Sequence, residues 1–284
     1  TNAGVAFCAR DSNDGGFNNN WDFTCTAGVT ISGTIYTAED KSGNIGAGHT
    51  IGLSVAGQAK TTVPSGAGGT FSFAGVNVAA NDPITIFVDD DGTYEATLAT
   101  QALDELSNIT GLEMYTNKVV IRHESAGPMR NNLLAQAKPS GEEDVHYSVG
   151  WTNYQENVDF DDGFEVWVDN VGSGKTYTPS GNVEADDFEI RSGATWNLES
   201  YTALIHGSYL NSGTFTAGTS TVTFDSTGSE TLAGRLNNSV TSSAFYKIAF
   251  NGVGGSWTIQ DPMLVSAANA TDTFVIGNGT VTLG

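Results

Sequence analysis

Three groups of residues in this chain could do chemistry. The first are clustered carboxylates: Asp89-Asp90-Asp91 ahead of Gly92, then Asp159, Asp161, Asp162 and Glu165 around Gly163, then Asp186-Asp187. Hard oxygens crowded on a turn repel one another, and a Ca²⁺ ion with about six to eight oxygen ligands relieves that repulsion. Asp159, Asp161 and Asp162 form the candidate Ca²⁺ set, with ordinary solvated turn acids as the alternative. The second group is Cys8 and Cys25, which enclose a Gly/Asn-rich stretch. They read as one disulfide, worth roughly 3 kcal/mol for a loop of about 15 residues in the chain-entropy estimate; two free buried thiols are the alternative. The third group is Trp151, Tyr154 and Trp167, aromatics that either stack on sugar rings at a surface or belong to a core.

Other chemistries fail on spacing. His49, His123, His146 and His206 show no HExxH or other paired spacing, and the cysteines make no CxxC, which speaks against zinc. No GxSxG elbow marks a nucleophilic serine. Gly172-Ser-Gly-Lys-Thr176 looks like the end of a phosphate loop, yet Asp169 stands where that motif needs glycine. The following Tyr177-Thr-Pro-Ser-Gly181 cannot start the long helix that would aim amides at phosphate. The segment is therefore expected as a hairpin turn. Residues 11–22 place glycines at the fifth and sixth EF-hand positions and lack flanking helices, so they are no EF-hand. Paired carboxylates can hydrolyse or eliminate across a glycosidic bond, as β-helix polysaccharide lyases and hydrolases do. Such sites usually add a basic group, and none of the five arginines lies beside these acids. The chain is expected not to be an enzyme and to need no cofactor, with Ca²⁺ the one ion considered.

The composition narrows the partners. The 284 residues carry 11 Lys plus Arg against 32 Asp plus Glu, a net charge of −21. A surface tracking nucleic-acid phosphates or anionic lipid would work against that field. Only 15% of residues are charged, while 35 Gly and 34 Thr stand against six Lys, a composition of strands and turns. No apolar run approaches the roughly 18 residues of a membrane span, so no membrane insertion is expected. The cysteine pair in an acidic, lysine-poor chain points to an oxidising compartment, hence to a secreted or cell-surface protein whose signal peptide has been removed.

The elements that must position these residues are strands. Apolar residues alternate at Val29, Ile31 and Ile35, at Ile51, Leu53 and Val55, at Phe71, Phe73 and Val76, and at Ile84, Ile86 and Val88, with a further run at 119–121. Period two over short runs separated by turn residues predicts an Ig-like β-sandwich over 26–124, preceded by an extended, disulfide-looped segment over 1–25. Residues 98–106 could pass for a helix turn. Residues 125–145, with Pro128, Pro139 and a helix-compatible patch at 133–137, are expected as a linker. Beyond it come shorter apolar doublets, and Ser192-Gly-Ala-Thr-Trp196 is echoed about 20 residues later by Ser212-Gly-Thr-Phe215. Gly255-Ser-Trp257 returns the theme about three such intervals after the first Trp. A repeat near 20 residues predicts a β-solenoid over 146–284, with a second Ig-like sandwich as the alternative. The expected fold is all-β, a sandwich followed by a solenoid.

Two resemblances accompany this reading. Val29-Thr-Ile-Ser-Gly-Thr-Ile-Tyr36, Gly69-Thr-Phe-Ser-Phe-Ala-Gly-Val76 and Ile84-Thr-Ile-Phe-Val88 resemble a transthyretin-like, or carboxypeptidase-regulatory-like, Ig-type module. Such a module implies a stalk or spacer of secreted proteins. The C-terminal half resembles the filamentous-haemagglutinin-like and autotransporter-like β-helices of large secreted bacterial proteins, on Leu210 through Phe224, Thr227-Gly-Ser-Glu-Thr-Leu232, Phe245-Tyr-Lys-Ile-Ala-Phe250, Gly254-Gly-Ser-Trp-Thr-Ile259 and Gly277-Asn-Gly-Thr-Val-Thr-Leu283. That likeness implies adhesion, surface layers or extracellular fibres.

A solenoid has two open ends, and this sequence shows no polar cap after its last apolar runs, Phe274 with Ile276 and Val281 with Leu283, so either more chain once followed or another molecule covers that edge. The expectation is a secreted structural subunit that polymerises head to tail by β-augmentation. Phe274, Ile276, Val281 and Leu283 would lie at one side of the joint, with Val5 and Phe7 of a second copy at the other. Surface glycans bound through Trp151, Tyr154 and Trp167 are the alternative partner.

Overall fold

The computed structural model describes residues 7–8, 21–22, 28–169, 175–237, 243–266 and 273–284. Its N-terminal part contains β1 (Phe7–Cys8), β2 (Trp21–Asp22), β3 (Val29–Tyr36), β4 (Thr50–Val55), β5 (Thr61–Pro64), β6 (Thr70–Val76), β7 (Pro83–Val88), β8 (Thr97–Gln101), β9 (Ile109–Tyr115) and β10 (Lys118–Ile121). One helix follows, α1 (Asn131–Ala137). The rest is β11 (Tyr147–Thr152), β12 (Gln155–Phe160), β13 (Glu165–Val168), β14 (Thr176–Tyr177), β15 (Val183–Ala185), β16 (Phe188–Ile190), β17 (Thr195–Asn197), β18 (Thr202–Ile205), β19 (Tyr209–Asn211), β20 (Thr214–Thr216), β21 (Thr221–Phe224), β22 (Ser229–Gly234), β23 (Lys247–Ile259) and β24 (Phe274–Leu283). The described chain is therefore all-β. Among the described residues no helix is long and apolar enough to cross a membrane.

The first part is a pair of layers. Strands β6, β3 and β9 form one, β5, β4, β7 and β8 the other, and Val29, Ile31, Ile35, Phe71, Phe73, Ile84 and Ile86 fill the core between them. The second layer is covered on its far side as well. Phe87, Ala99, Val119 and Ile121 join a different core, shared with α1 and the C-terminal half. Burial on both faces explains why β7 is almost uninterruptedly apolar, and why residues 97–101 form strand β8 instead of the helix turn their composition allowed.

The boundary expected at 125–145 is also built in. Met129, Leu134, Ala137 and Val145 are fully buried there. Strand β10 pairs in parallel with β8 on one side and β13 on the other, so the sheet runs unbroken from the layered part into the second half. Arg122, just past β10, sits against Glu124 at 2.8 Å and 2.7 Å, and Lys175 beside β14 reaches the same carboxylate at 3.3 Å.

From β12 onward the strands stack in parallel ladders. On one face Val183 pairs Ala203, Ala203 pairs Val222, and Val222 pairs Ile248. On a second face the sequence is Val166, Phe188, Tyr209, Leu232 and Ile259. On a third, Tyr177, Trp196 and Phe215 align. Each step advances the chain by about 20 to 27 residues, and every residue just named is buried. Stacking identical faces in register lines the interior side chains into columns, so the echo of Trp196 in Phe215 is a vertical neighbour, ring centroids 5.0 Å apart. The Trp257 echo is different: Phe245 lies next to Phe215, and Trp257 pairs with Glu230 on the second face.

Strand β23 belongs to two faces. Its first residues, 247–250, pair β21 and its last, 256–259, pair β22, so the strand must turn a corner between them. The corner presses on Ser226: a Cβ on Gly252 or Gly255 would stand 1.8 Å and 2.0 Å from the Ser226 carbonyl oxygen. Only glycine allows the backbone that close. Trp196 lies at the centre of the interior columns, fully buried against Phe188, Tyr209 and Phe215. Trp196→Ala should lower the unfolding free energy by about 3–5 kcal/mol, measured by denaturant melts of native and variant chains.

Candidate functional site

The end of the ladders is where the structure departs from ordinary burial. Strand β24 lies on β23 and repeats its corner, with Phe274, Ile276 and Leu283 over Ile248, Phe250 and Ile259. The interior columns thus run on by one rung. Ile248, Phe250 and Ile259 are buried, whereas Phe274, Ile276 and Leu283, the next members of the same columns, are 43%, 49% and 80% exposed. Among the described residues β24 has no strand on its other side, so its outer amides and carbonyls form an open edge. With Ile259, Pro262 and Met263 these side chains line a groove of about 600 Å³. Phe274, Ile276, Val281 and Leu283, expected at this end, come together here; one continuous strand carries them, not two. Pro262 and Met263 were not recognisable, because only the pairing of Leu236 with Met263 carries that loop to the end of the stack.

The opposite end of the ladders is covered by the chain itself. Helix α1 packs on β7, β11 and β12, and the Lys138 ammonium donates to the carbonyls of Val145 and Tyr147. Phe7 and Cys8 pair in parallel with Trp21 and Asp22. Val5, Cys25 and the Cys8–Cys25 pairing lie outside the described residues.

The three aromatics separate. Trp167 is 1% exposed, packed on Tyr115 at 4.7 Å between ring centroids, with the Lys118 ammonium 4.4 Å and the Arg191 guanidinium carbon 3.9 Å from the Trp167 ring centre. It is a core residue flanked by two cations. Trp151 and Tyr154 stay on the surface, on the β11–β12 hairpin.

The carboxylates also redistribute. Among the described residues, Asp89, Glu142 and Asp144 bring their oxygens within 4.8 Å of one another, and Asp159, Asp161 and Asp162 make no such group. A cation already serves the first cluster: Lys60 Nζ lies 2.5 Å from Asp89 and 2.9 Å from Glu142. Hydrogen bonds to Asp89 and then Glu142 hold the lysine pKa above its ordinary value. Asp159 remains part of an acidic outer face. Burial, then the charges of Glu184, Asp161 and Asp162, push its pKa up. On that face His206 bridges two rungs, with Nδ1 2.6 Å from Asp225 and Nε2 3.0 Å from Glu184. Carboxylates only accept hydrogen bonds, so this geometry needs both ring nitrogens to donate, as the imidazolium does. Burial opposes that charge, but Glu184 and Asp225 outweigh it and the pKa is raised. The bridge was invisible in the sequence, since it joins positions about 20 residues apart whose spacing matters only after stacking. His123, by contrast, is buried, and burial lowers its pKa.

No family model, curated protein or solved structure matches this chain.

Three measurements follow from these charges. The folded pKa of His206 lies above the unfolded value of 6.5, so its stabilisation is fully present below that value and is lost as pH rises through the folded pKa. Relative to His206→Gln, the native Tm should therefore decline as pH rises above about 6.5, read by calorimetric scans. Lys60→Met should lose about 1–2 kcal/mol, a figure reduced for the lysine's partial exposure. Millimolar Ca²⁺ should raise the Tm of that variant and leave the native Tm unchanged.

Proposed function

We propose that this chain is an extracellular structural subunit: an Ig-like two-sheet module followed by a β-solenoid, assembled head to tail into a filament or surface layer by strand augmentation. One observation carries the reading: interior columns that are buried at Ile248, Phe250 and Ile259 emerge one rung later at Phe274, Ile276 and Leu283. Side chains patterned for a core are worth roughly 1.5–3 kcal/mol each once covered, and the bare edge of β24 wants a strand beside it. The two ends differ among the described residues: α1 and the β11–β12 hairpin, whose β11 also has an unpaired outer edge, lie at one, and the exposed apolar side chains of β24 lie at the other. A joint between unlike surfaces does not close on itself unless the rotation brings it round, so it propagates. The net charge of −21 fits a surface exposed to solvent along a polymer and gives no footing to nucleic acid.

An adhesin that takes surface glycans is the second reading, favoured by the outward Trp151 and Tyr154. Glycan-array binding that disappears in Trp151→Ala, in a chain that never assembles, would establish it.

Negative-stain images of the full chain at high concentration should show filaments or sheets, and sedimentation should show a concentration-dependent polymer. Ile276→Lys should abolish both while leaving the far-ultraviolet spectrum and Tm near native, because that side chain is already half-exposed. Native chain that stays monodisperse and monomeric, with and without Ca²⁺, would refute the proposal.

A further inference from the structure

The following rests on the head-to-tail reading and names the part of the second copy that fills the open end. The sheet carrying Phe274 and Ile276 runs from β24 through β23, β21, β18, β15 and β12 to β11. Its two extremes are unlike. One is the groove of about 600 Å³ lined by Ile259, Met263, Phe274, Ile276, Val281 and Leu283. The other is a projection, the β11–β12 hairpin.

The hairpin closes through Asn153 and Tyr154, both at positive φ, 53° and 64°. Two-residue turns of this kind match the twist of paired strands and are ordinarily built from Asn and Gly. Asn153 fits that rule, whereas Tyr154 does not: a bulky residue in the left-handed region costs stability that Gly would spare. Tyr154 is also 92% exposed and Trp151 68%, so neither ring repays its position by packing on its own chain. An aromatic kept where the turn prefers glycine, beside a second one held in solvent, is placed for contact with something else.

We infer that Trp151 and Tyr154 of one copy insert into the groove at the β24 end of the next. The fit is chemical as well as positional. Rings of this size each bury about 150–250 Å² and are the side chains that most often anchor interfaces, while the groove offers the unfinished core columns as partners. Knob and socket sit at opposite extremes of one sheet, so each joint leaves a free knob and a free socket and the chain grows. Each surface carries one carboxylate, Glu156 beside the hairpin and Asp261 at the groove, in a molecule of net charge −21. The contact forms against like-charge repulsion, and added salt should strengthen assembly by screening it.

The test uses the full chain and two double variants at exposed positions. Trp151→Ala with Tyr154→Ala removes the knob; Ile276→Lys with Leu283→Lys blocks the socket. In sedimentation velocity each alone should need about 30-fold more protein to assemble, the loss expected of a central aromatic anchor. An equimolar mixture should give one-to-one dimers and nothing longer, since only one knob and one socket remain intact. Tyr154→Gly should raise the Tm while weakening assembly, a separation that a merely structural tyrosine would not show. Knob-less protein that assembles like native overturns this inference and leaves the head-to-tail reading standing, as does a mixture that stays monomeric while the native chain polymerises. Knob-less protein that assembles normally yet loses glycan-array binding assigns the rings to sugar instead. Native chain that never assembles removes both ideas.

Discussion

Everything in the second half of this protein depends on parallel strands stacked in register. A short strand of three or four residues cannot be stable alone, because its amides and carbonyls would be left to water and its one or two apolar side chains would bury nothing. Set on a neighbour about 4.8 Å away, it shares every ladder bond and adds one layer to each interior column. The cost of this economy is that no rung is complete by itself. Val183, Ala203, Val222 and Ile248 bury each other only because each has a rung on both sides.

The same requirement explains how the two halves of the molecule meet. Strand β10 satisfies β8 of the layered part and β13 of the ladders at once, and α1 lies over the cores where the sheet changes character. Residues that read as a linker are therefore pinned by Met129, Leu134 and Val145. At the other end β24 receives support from one side only, which is why its apolar side chains face solvent.

Local patterns in the sequence carried the strands and the doublets, because alternation depends on neighbours two residues apart. They also carried the near-20-residue echo of Trp196 in Phe215, and the apolar end at Phe274 to Leu283. Patterns of that kind could not separate Trp167 from Trp151. Both are aromatics within strand-like runs, and only packing puts Trp167 between two cations and leaves Trp151 outside. Charge partners were equally hidden. Lys60 meets Asp89 and Glu142 across three separate segments, and of the acids that looked crowded in sequence only Asp159 lies on a strand, β12, while Asp161 and Asp162 fall in the turn after it and the three form no tight group. The Ser/Gly/Trp theme at Gly255 misled because it marks a different face: Trp257 stands beside Glu230, while Phe245 is the ring that follows Phe215.

That corner has a mechanical meaning. Strand β23 is a single covalent segment lying in two faces of the stack, and β24 repeats the bend above it. Tension applied to either face near this end passes through main-chain bonds into the other, so the faces stretch as one body instead of sliding past each other.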